Sequence, residues 1–395
     1  MNLPTLEVAD IFRAFGDSFI DSSRSHVAWL HLKVMRAIER CRTAALGGHR
    51  DHCPGCSQDL GISYNSCRNR HCPKCQAMAR NQWTARRIAD LVPLGYFHVV
   101  FTVPHQLSAL MLQNKRLLYA LLFRASAETL MQVAANPRHL GAEIGFLGVL
   151  HTWGQTLEHH PHVHYVVPEG GFSPDRSAWI RPKYRFFLPV KVLSRVFRGK
   201  FIDALTVLYR RGKLEFHGSL KPLREPRAFG EFLRTLYGQD WVVYAKKPFG
   251  GPEHVLHYLS RYTHRVAISN HRLIGMEDGR VTFRWKDYAH GNKKRKMTLT
   301  AHEFIRRFLL HVLPRGFVRI RHFGWMANRH RAQSAATCRA LLQTDSGKIA
   351  PPVPSSVSST RRCPHCGGPV VIVERFTGRQ LRRLRSELNA VTNSG

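Results

Sequence analysis

The residues of this chain best suited to chemistry are histidines, tyrosines and cysteines gathered in a few short runs. One run reads His159-His160-Pro161-His162-Val163-His164-Tyr165-Val166-Val167. Residues i and i+2 of a strand point to one face, so a strand here aims the imidazoles of His162 and His164 at one point while Val163 turns to the core. Two neutral imidazoles hold a divalent ion once another polar group joins them. If segments 144–156 and 162–168 pair as strands through a turn at 157–160, Gln155 falls near His162 and is the expected third ligand, with Glu158 as the alternative. In a chain with 24 histidines, such a pair also arises by chance, and a histidine cluster that merely faces a bound partner is a credible alternative.

A second run is Tyr258-Leu-Ser-Arg-Tyr262, in a segment, 252–264, that reads as helix. Tyrosines at i and i+4 share one helical face. Such a stripe usually packs in a core, but here His254 shares the face and Arg261, His264 and Arg265 lie alongside. With a metal ion polarising a phosphate oxygen, a tyrosine can attack phosphorus and form a covalent phosphotyrosine. The energy of the broken phosphodiester bond then stays in that link, and rejoining needs no ATP.

The third feature is a pair of knuckles, Cys53-Pro-Gly-Cys56 and Cys72-Pro-Lys-Cys75, separated by fifteen residues. Each knuckle puts two thiolates on one tight turn, and two knuckles complete a tetrahedral zinc site. The expected ligands are Cys53, Cys56, Cys72 and Cys75; Cys67 and His71 are substitutes or helpers in binding a second ion, and His49 and His52 are further alternatives. A closed four-ligand site leaves no position for substrate, so the zinc staples the fold. Arg68, Arg70 and Lys74 between or beside the ligands are candidates for DNA contact, although purely structural modules carry such residues too. Cys363-Pro-His-Cys366 is a further knuckle without an evident partner; His365, Cys338 or a second chain are the options.

The charge says what the partner is. The 395 residues carry 60 Lys and Arg against 26 Asp and Glu, a formal net charge of +34. So large an excess repels itself unless a polyanion neutralises it, and nucleic acid is the natural one. Lys246 and Lys247, the run 291–296 with Lys293, Lys294 and Arg295, and the Arg/His-rich run 315–331 are expected on phosphates. Trp285, Phe323 and Trp325 are candidates for stacking on bases. A solvated basic surface with core aromatics is the bland alternative for any one of them. No apolar stretch approaches the ~18–20 residues of a bilayer span, and the first residues lack the layout of a signal peptide. A cytoplasmic, nucleoid-associated protein is therefore expected, its nine cysteines serving metal rather than disulfides. Oligomeric state is not legible.

The elements that must position these groups alternate without a strict βαβ order. Helices are expected at 5–46, 77–92, 105–135, 189–211, 227–237 and 302–312. Strands are expected at 96–103, 144–156, 162–168, 214–217, 241–245, 265–269 and 280–286. The pattern predicts an α+β fold with helices on a sheet. A helical plus zinc-binding, DNA-binding domain is expected at 1–92, a catalytic domain at 93–340, a Pro/Ser-rich linker at 341–362 and a short Cys-containing basic tail at 363–395.

Several ordered segments resemble one family. They are YNSCRNRHCPKCQ at 64–76, YFHVVFTVPH at 96–105, HTWGQTLEHHPHVHYVVPEGG at 151–171, WVVYAKKPF at 241–249 and YLSRYTHRVAISNHR at 258–272. They resemble the two-tyrosine HUH transposases of bacterial insertion sequences that move by rolling-circle transposition, over roughly residues 5–340. The resemblance implies an HUH-type antiparallel sheet with flanking helices, preceded by a helical and zinc-ribbon-like module. It implies Mg²⁺ or Mn²⁺ on His162 and His164, Tyr258 and Tyr262 as nucleophiles, structural Zn²⁺, and single-stranded element ends and target DNA as partners. Gln155 rests on geometry alone, because the third ligand varies among such enzymes. A plasmid replication initiator or relaxase with the same chemistry is the nearer alternative, and a non-catalytic zinc-dependent DNA-binding protein the more distant one.

Overall fold

A computed structural model of the chain describes residues 5–24, 27–76, 91–183, 187–249, 267–288, 290–345 and 361–384. Two units emerge, one of Arg80–Ala267 with Leu313–Pro354, the other of Met1–Ala79, Ile268–Val312 and Ser355–Gly395. The fold is α+β, with an antiparallel HUH-type sheet in the first unit.

That sheet comprises β3 (Tyr96–Thr102), β4 (Gly145–Trp153), β5 (His159–Pro168), β8 (Val243–Phe249) and β12 (Ile320–Gly324), in the order β12-β4-β5-β3-β8. All neighbours are antiparallel, and the short strands β6 (Gly171–Phe172) and β7 (Trp179–Ile180) pair with each other in a separate ribbon. Cross-strand partners share a face, and register sorts the residues cleanly. Phe97, Val99, Phe101, Leu150, Val163, Tyr165 and Val167 lie on one face and are buried. The helices Lys115–Ala135 and Val190–Arg210 cover that face. Phe101 meets Phe197 edge-on at 5.0 Å and Phe146 meets Tyr165 at 5.0 Å, each buried ring contributing about 1.5–3 kcal/mol. The Tyr165 hydroxyl is satisfied by Ser126 Oγ at 2.7 Å. The ring of Tyr165 lies where a side chain on its partner Gly148 would stand, 2.6 Å from an ideal Cβ, so that position requires glycine.

The same alternation places His98, His151, His162 and His164 on the opposite face. Around the sheet the expected helices at 105–135, 189–211 and 227–237 and the strands at 96–103, 144–156 and 162–168 hold with local exceptions; the helices expected at 77–92 and 252–264 lie almost wholly outside the described residues, and the described part of the strand expected at 265–269 is not a strand. Residues 105–135 divide at Asn114 into Ser108–Gln113 and Lys115–Ala135. Residues 214–217 form no strand, because side-chain amides take the place of a ladder. Asn114 bonds both backbone groups of Glu215 at 2.8 and 2.9 Å, and Gln113 does the same for His217 at 2.8 and 3.0 Å.

In the second unit, the helices Val8–Ser22 and Trp29–Glu39 replace the single helix expected at 5–46. Phe12 meets Phe308 of the helix Ala301–Leu310 at 5.3 Å. A sheet of β9 (Leu273–Glu277), β10 (Arg280–Asp287) and β11 (Lys293–Thr300) belongs here, in the order β11-β10-β9, although the sequence suggested one catalytic domain from 93 to 340. A second sheet, ordered β13-β1-β2, joins β1 (Gly48–Cys53), β2 (Gln58–Tyr64) and β13 (Val371–Phe376). Residues beyond 363, expected as a tail, thus supply a strand to the amino-terminal module. No helix among the described residues is long and apolar enough to cross a membrane.

Candidate metal centre and nucleic-acid surfaces

His162 and His164 stand where a period-two strand puts them, and a third imidazole meets them. The ligating nitrogens of His151, His162 and His164 all lie within 4.8 Å of one another. His151 is the direct cross-strand partner of His162. Its ring lies 4.3 Å from that of His164, centroid to centroid, and stacks on Trp153 at 4.5 Å. The expected third ligand, Gln155, does not pair with His162. The strand ends at Trp153 and the turn begins at Gly154, earlier than 157, so Gln155 falls within the turn. His151 was missed for this reason, and Gly154 was the available signal, since glycine inside an alternating run marks a break.

Neighbouring groups set which ring nitrogens are available. His162 Nδ1 lies 2.7 Å from the His160 carbonyl and donates to it, which leaves the lone pair on Nε2. His164 Nδ1 lies 2.7 Å from His98 Nε2, with the two rings stacked at 5.0 Å. For His164 to ligate through Nε2, its Nδ1–H must donate to His98, so His98 is a positioning residue for that ring. His98 was also missed, yet it alternates with Phe97, Val99 and Phe101 and so belongs on the polar face. His159 serves the scaffold, held by Ser108 Oγ and Tyr119 Oη at 2.7 Å each.

Burial pushes the His162 imidazole down to about 3 and the His164 imidazole well below the ordinary histidine value, helped by the neighbouring histidines. His98 is pushed down to about 3, first by burial and then by Lys246. The rings are therefore neutral at physiological pH, the state in which imidazole binds metal. Lys246 is exposed and is the cross-strand partner of His98, which puts it on the histidine face. Lys247 lies on the same strand. Tyr258 and Tyr262, with His254, Arg261, His264 and Arg265, lie outside the described residues.

The four cysteines expected at one site divide between two. Cys72 and Cys75 gather with Cys41 and Cys67, while Cys53 and Cys56 gather with Cys363 and Cys366. Cys41 follows the helix Trp29–Glu39, and its Sγ lies 3.6 Å from those of Cys72 and Cys75. Cys338 is buried apart from both groups, in the core of the other unit with Leu91 and Trp325.

The basic candidates differ in what they offer to DNA. Arg68 is exposed and Arg70 half-buried. Lys74 is committed to Glu7 at 2.7 Å, and Arg295 to Asp287 at 2.9 Å. Lys293 and Lys294 are exposed on β11. Register makes Lys294 and Lys296 the partners of Lys286 and Arg284. Those four exposed cations share one face, because Val281 and Phe283 take the other face of β10 into the core. Of the aromatic candidates, Trp325 is buried against Phe172 and Trp179, and Phe323 packs on Phe146 at 5.3 Å. Neither is placed to stack on a base. Tyr288 is exposed instead, with Lys286 Nζ 5.3 Å from its ring centre. Lys294→Ala with Lys296→Ala is expected to reduce the slope of log affinity for single-stranded DNA against log salt by about 1.4, since each phosphate contact contributes ~0.7. An unchanged slope in a salt titration would remove this face from the interface.

Comparison with known proteins identifies the family. The Y2_Tnp family model, described as "Putative transposase", matches residues 145–334, the stretch that holds His151, His162 and His164. A transposase zinc-binding domain of the IS91 type matches residues 11–103. The chain is 53% identical over 388 residues to "Putative transposase y4qJ" of Sinorhizobium fredii, covering 94% of this chain and 96% of that one. It is 28% identical over 315 residues to the "Transposase for insertion sequence element IS801" of Pseudomonas savastanoi pv. phaseolicola, covering 76% of this chain and 71% of that one. No solved structure matches the chain. The chain belongs to the Y2_Tnp family of DNA-acting insertion-sequence transposases and carries an amino-terminal transposase zinc-binding domain.

Proposed function

We propose that this transposase cleaves and rejoins single-stranded DNA at element ends by rolling-circle transposition. Tyr258 and Tyr262 are the nucleophiles, and His151, His162 and His164 hold the catalytic divalent ion. The observation that carries the reading is the convergence of these imidazoles on one sheet face with Lys246 beside them. The donor set fits a divalent ion, and an all-nitrogen set suits Mn²⁺ better than Mg²⁺, which prefers oxygen. When bound, the ion supplies Lewis-acid polarisation of a phosphate oxygen.

The protein's own groups do the rest. His98 Nε2 accepts a hydrogen bond from His164 Nδ1–H and keeps that ring oriented. Lys246 neutralises charge on the phosphate. A tyrosine oxygen attacks phosphorus, the P–O3′ bond breaks, and the departing oxygen takes a proton and leaves as a 3′ hydroxyl. The 5′ phosphate stays on the tyrosine. A 3′ hydroxyl later attacks that phosphotyrosine and returns the tyrosine, so bonds balance without ATP. A second tyrosine allows a second cleavage in the same site.

The test is incubation of the full chain with a labelled single-stranded oligonucleotide carrying an element end, with and without Mn²⁺, followed by a denaturing gel. A metal-dependent band of protein with DNA attached is the expected result. Binding without that band would sustain the non-catalytic alternative and defeat the proposal. Joining of two element ends in the same reaction distinguishes a transposase from a replication initiator.

A further inference from the structure

The matched zinc-binding domain spans residues 11–103, and four cysteines within it, Cys41, Cys67, Cys72 and Cys75, already form a complete set. That leaves Cys53 and Cys56 as two thiols that no other cysteine among the described residues of the domain joins. The structure completes them from the far end of the chain. We infer that Cys53, Cys56, Cys363 and Cys366 form a second structural zinc site, one that fastens the carboxy-terminal segment to the amino-terminal module.

The sulfur geometry suits a shared ion. Cys53 Sγ lies 3.5 Å from Cys366 Sγ, and Cys56 Sγ lies 3.7 Å from Cys363 Sγ. Four thiolates about 2.3 Å from a zinc ion in a tetrahedron stand roughly 3.8 Å apart, whereas a disulfide holds its sulfurs at about 2.05 Å. The first cluster, which lies inside the matched domain, has the same spacing, 3.5 Å between Cys67 and Cys75 and 3.6 Å between Cys41 and Cys75. Both knuckles are built as tight turns. Cys53 closes β1 just before the turn to β2. The second knuckle is closed by Cys363 N–H donating to the Gly368 carbonyl at 2.8 Å, with Gly367 in the left-handed region at φ 72°. Gly368 N–H donates to Cys366 Sγ at 3.4 Å, as backbone amides do when they offset thiolate charge.

Contacts beyond the sulfurs bring the two ends together independently. β13 pairs with β1 in antiparallel register from Gly48↔Phe376 to His52↔Val371. Arg361, just before the knuckle, pairs with the buried carboxylate of Asp51 and donates to Ser63 Oγ at 2.8 Å. The second knuckle is thus delivered to the first by a strand and an ion pair, across a sequence separation of 307 residues between Cys56 and Cys363. Four thiolates are a soft set that selects zinc over the hard ions of phosphate chemistry. On binding, the thiol protons pass to solvent.

The test is zinc content per chain of the reduced, zinc-reconstituted full-length protein by elemental mass spectrometry. Two zinc ions are expected. Cys363→Ser with Cys366→Ser should retain one, Cys53→Ser with Cys56→Ser should retain one, and the fourfold variant should also retain one, because both pairs serve the same ion. Two ions in the Cys363→Ser/Cys366→Ser variant, or none in the fourfold variant, would overturn the shared site. Cobalt titration of the unmutated chain gives a check free of folding effects. Two equivalents with tetrathiolate absorption support the proposal, and saturation at one defeats it. Neither readout depends on DNA cleavage.

Discussion

His151→Ala is expected to weaken metal-supported strand cleavage by more than about 100-fold at low micromolar Mn²⁺, while Gln155→Ala leaves it within about tenfold. The magnitude follows from comparison with outer groups: loss of a residue that merely orients a ligand costs about 10–100-fold in affinity or activity, and loss of a ligand exceeds that. His151 is 3% exposed and sits opposite His162 in the β4–β5 register. Its removal leaves two imidazoles, which raising Mn²⁺ compensates only in part. His98→Asn should fall between, because it removes the orientation of His164 and not a donor. The measurement is the Mn²⁺ dependence of adduct formation for the variants, with DNA affinity as a control for folding. A silent His151→Ala beside a crippled Gln155→Ala would return the third-ligand role to the turn.

This contrast also shows where sequence reasoning reached and where it stopped. The HxH pair, its face and the apolar reverse face of the sheet follow from alternation alone, so His162 and His164 were legible. The partner across the hairpin depends on where the turn begins, and a shift of a few residues exchanges Gln155 for His151. The four expected cysteines all fall in metal-competent clusters, but their grouping into one site failed for a related reason. Two knuckles fifteen residues apart invite each other by proximity, but β1 and β2 carry Cys53 and Cys56 into a sheet whose other edge is β13. Only that long-range pairing reveals Cys363 and Cys366 as their partners. The run Lys293–Thr300 hid a strand because it carries cations on an exposed edge and little apolar alternation. Its partner β10, with Val281 and Phe283 inward, supplied the register instead.

Replacing both Tyr258 and Tyr262 by Phe is expected to abolish the covalent protein–DNA band, a loss of about 10⁴-fold or more, with DNA affinity nearly unchanged. Phenylalanine keeps the aromatic ring while removing the one oxygen that can attack phosphorus, and removal of a nucleophile costs on the order of 10⁴–10⁶ in rate. Tyr258 and Tyr262 are two separate nucleophiles four residues apart in sequence, so each single variant should retain one of them and still form one kind of adduct. The double variant also separates two uses of the histidine site. If a water molecule were the attacking group, the strand would be cut with a free 5′ phosphate and no protein attached, and Phe would not matter. Gel analysis of a strand labelled at its 3′ end distinguishes these outcomes, because the fragment carrying the 5′ phosphate migrates with the protein only in the tyrosine mechanism. Cutting by the double Phe variant at the wild-type rate would mean that the His151–His162–His164 site hydrolyses DNA without covalent capture. Strand transfer would then need a source of energy that these residues do not provide.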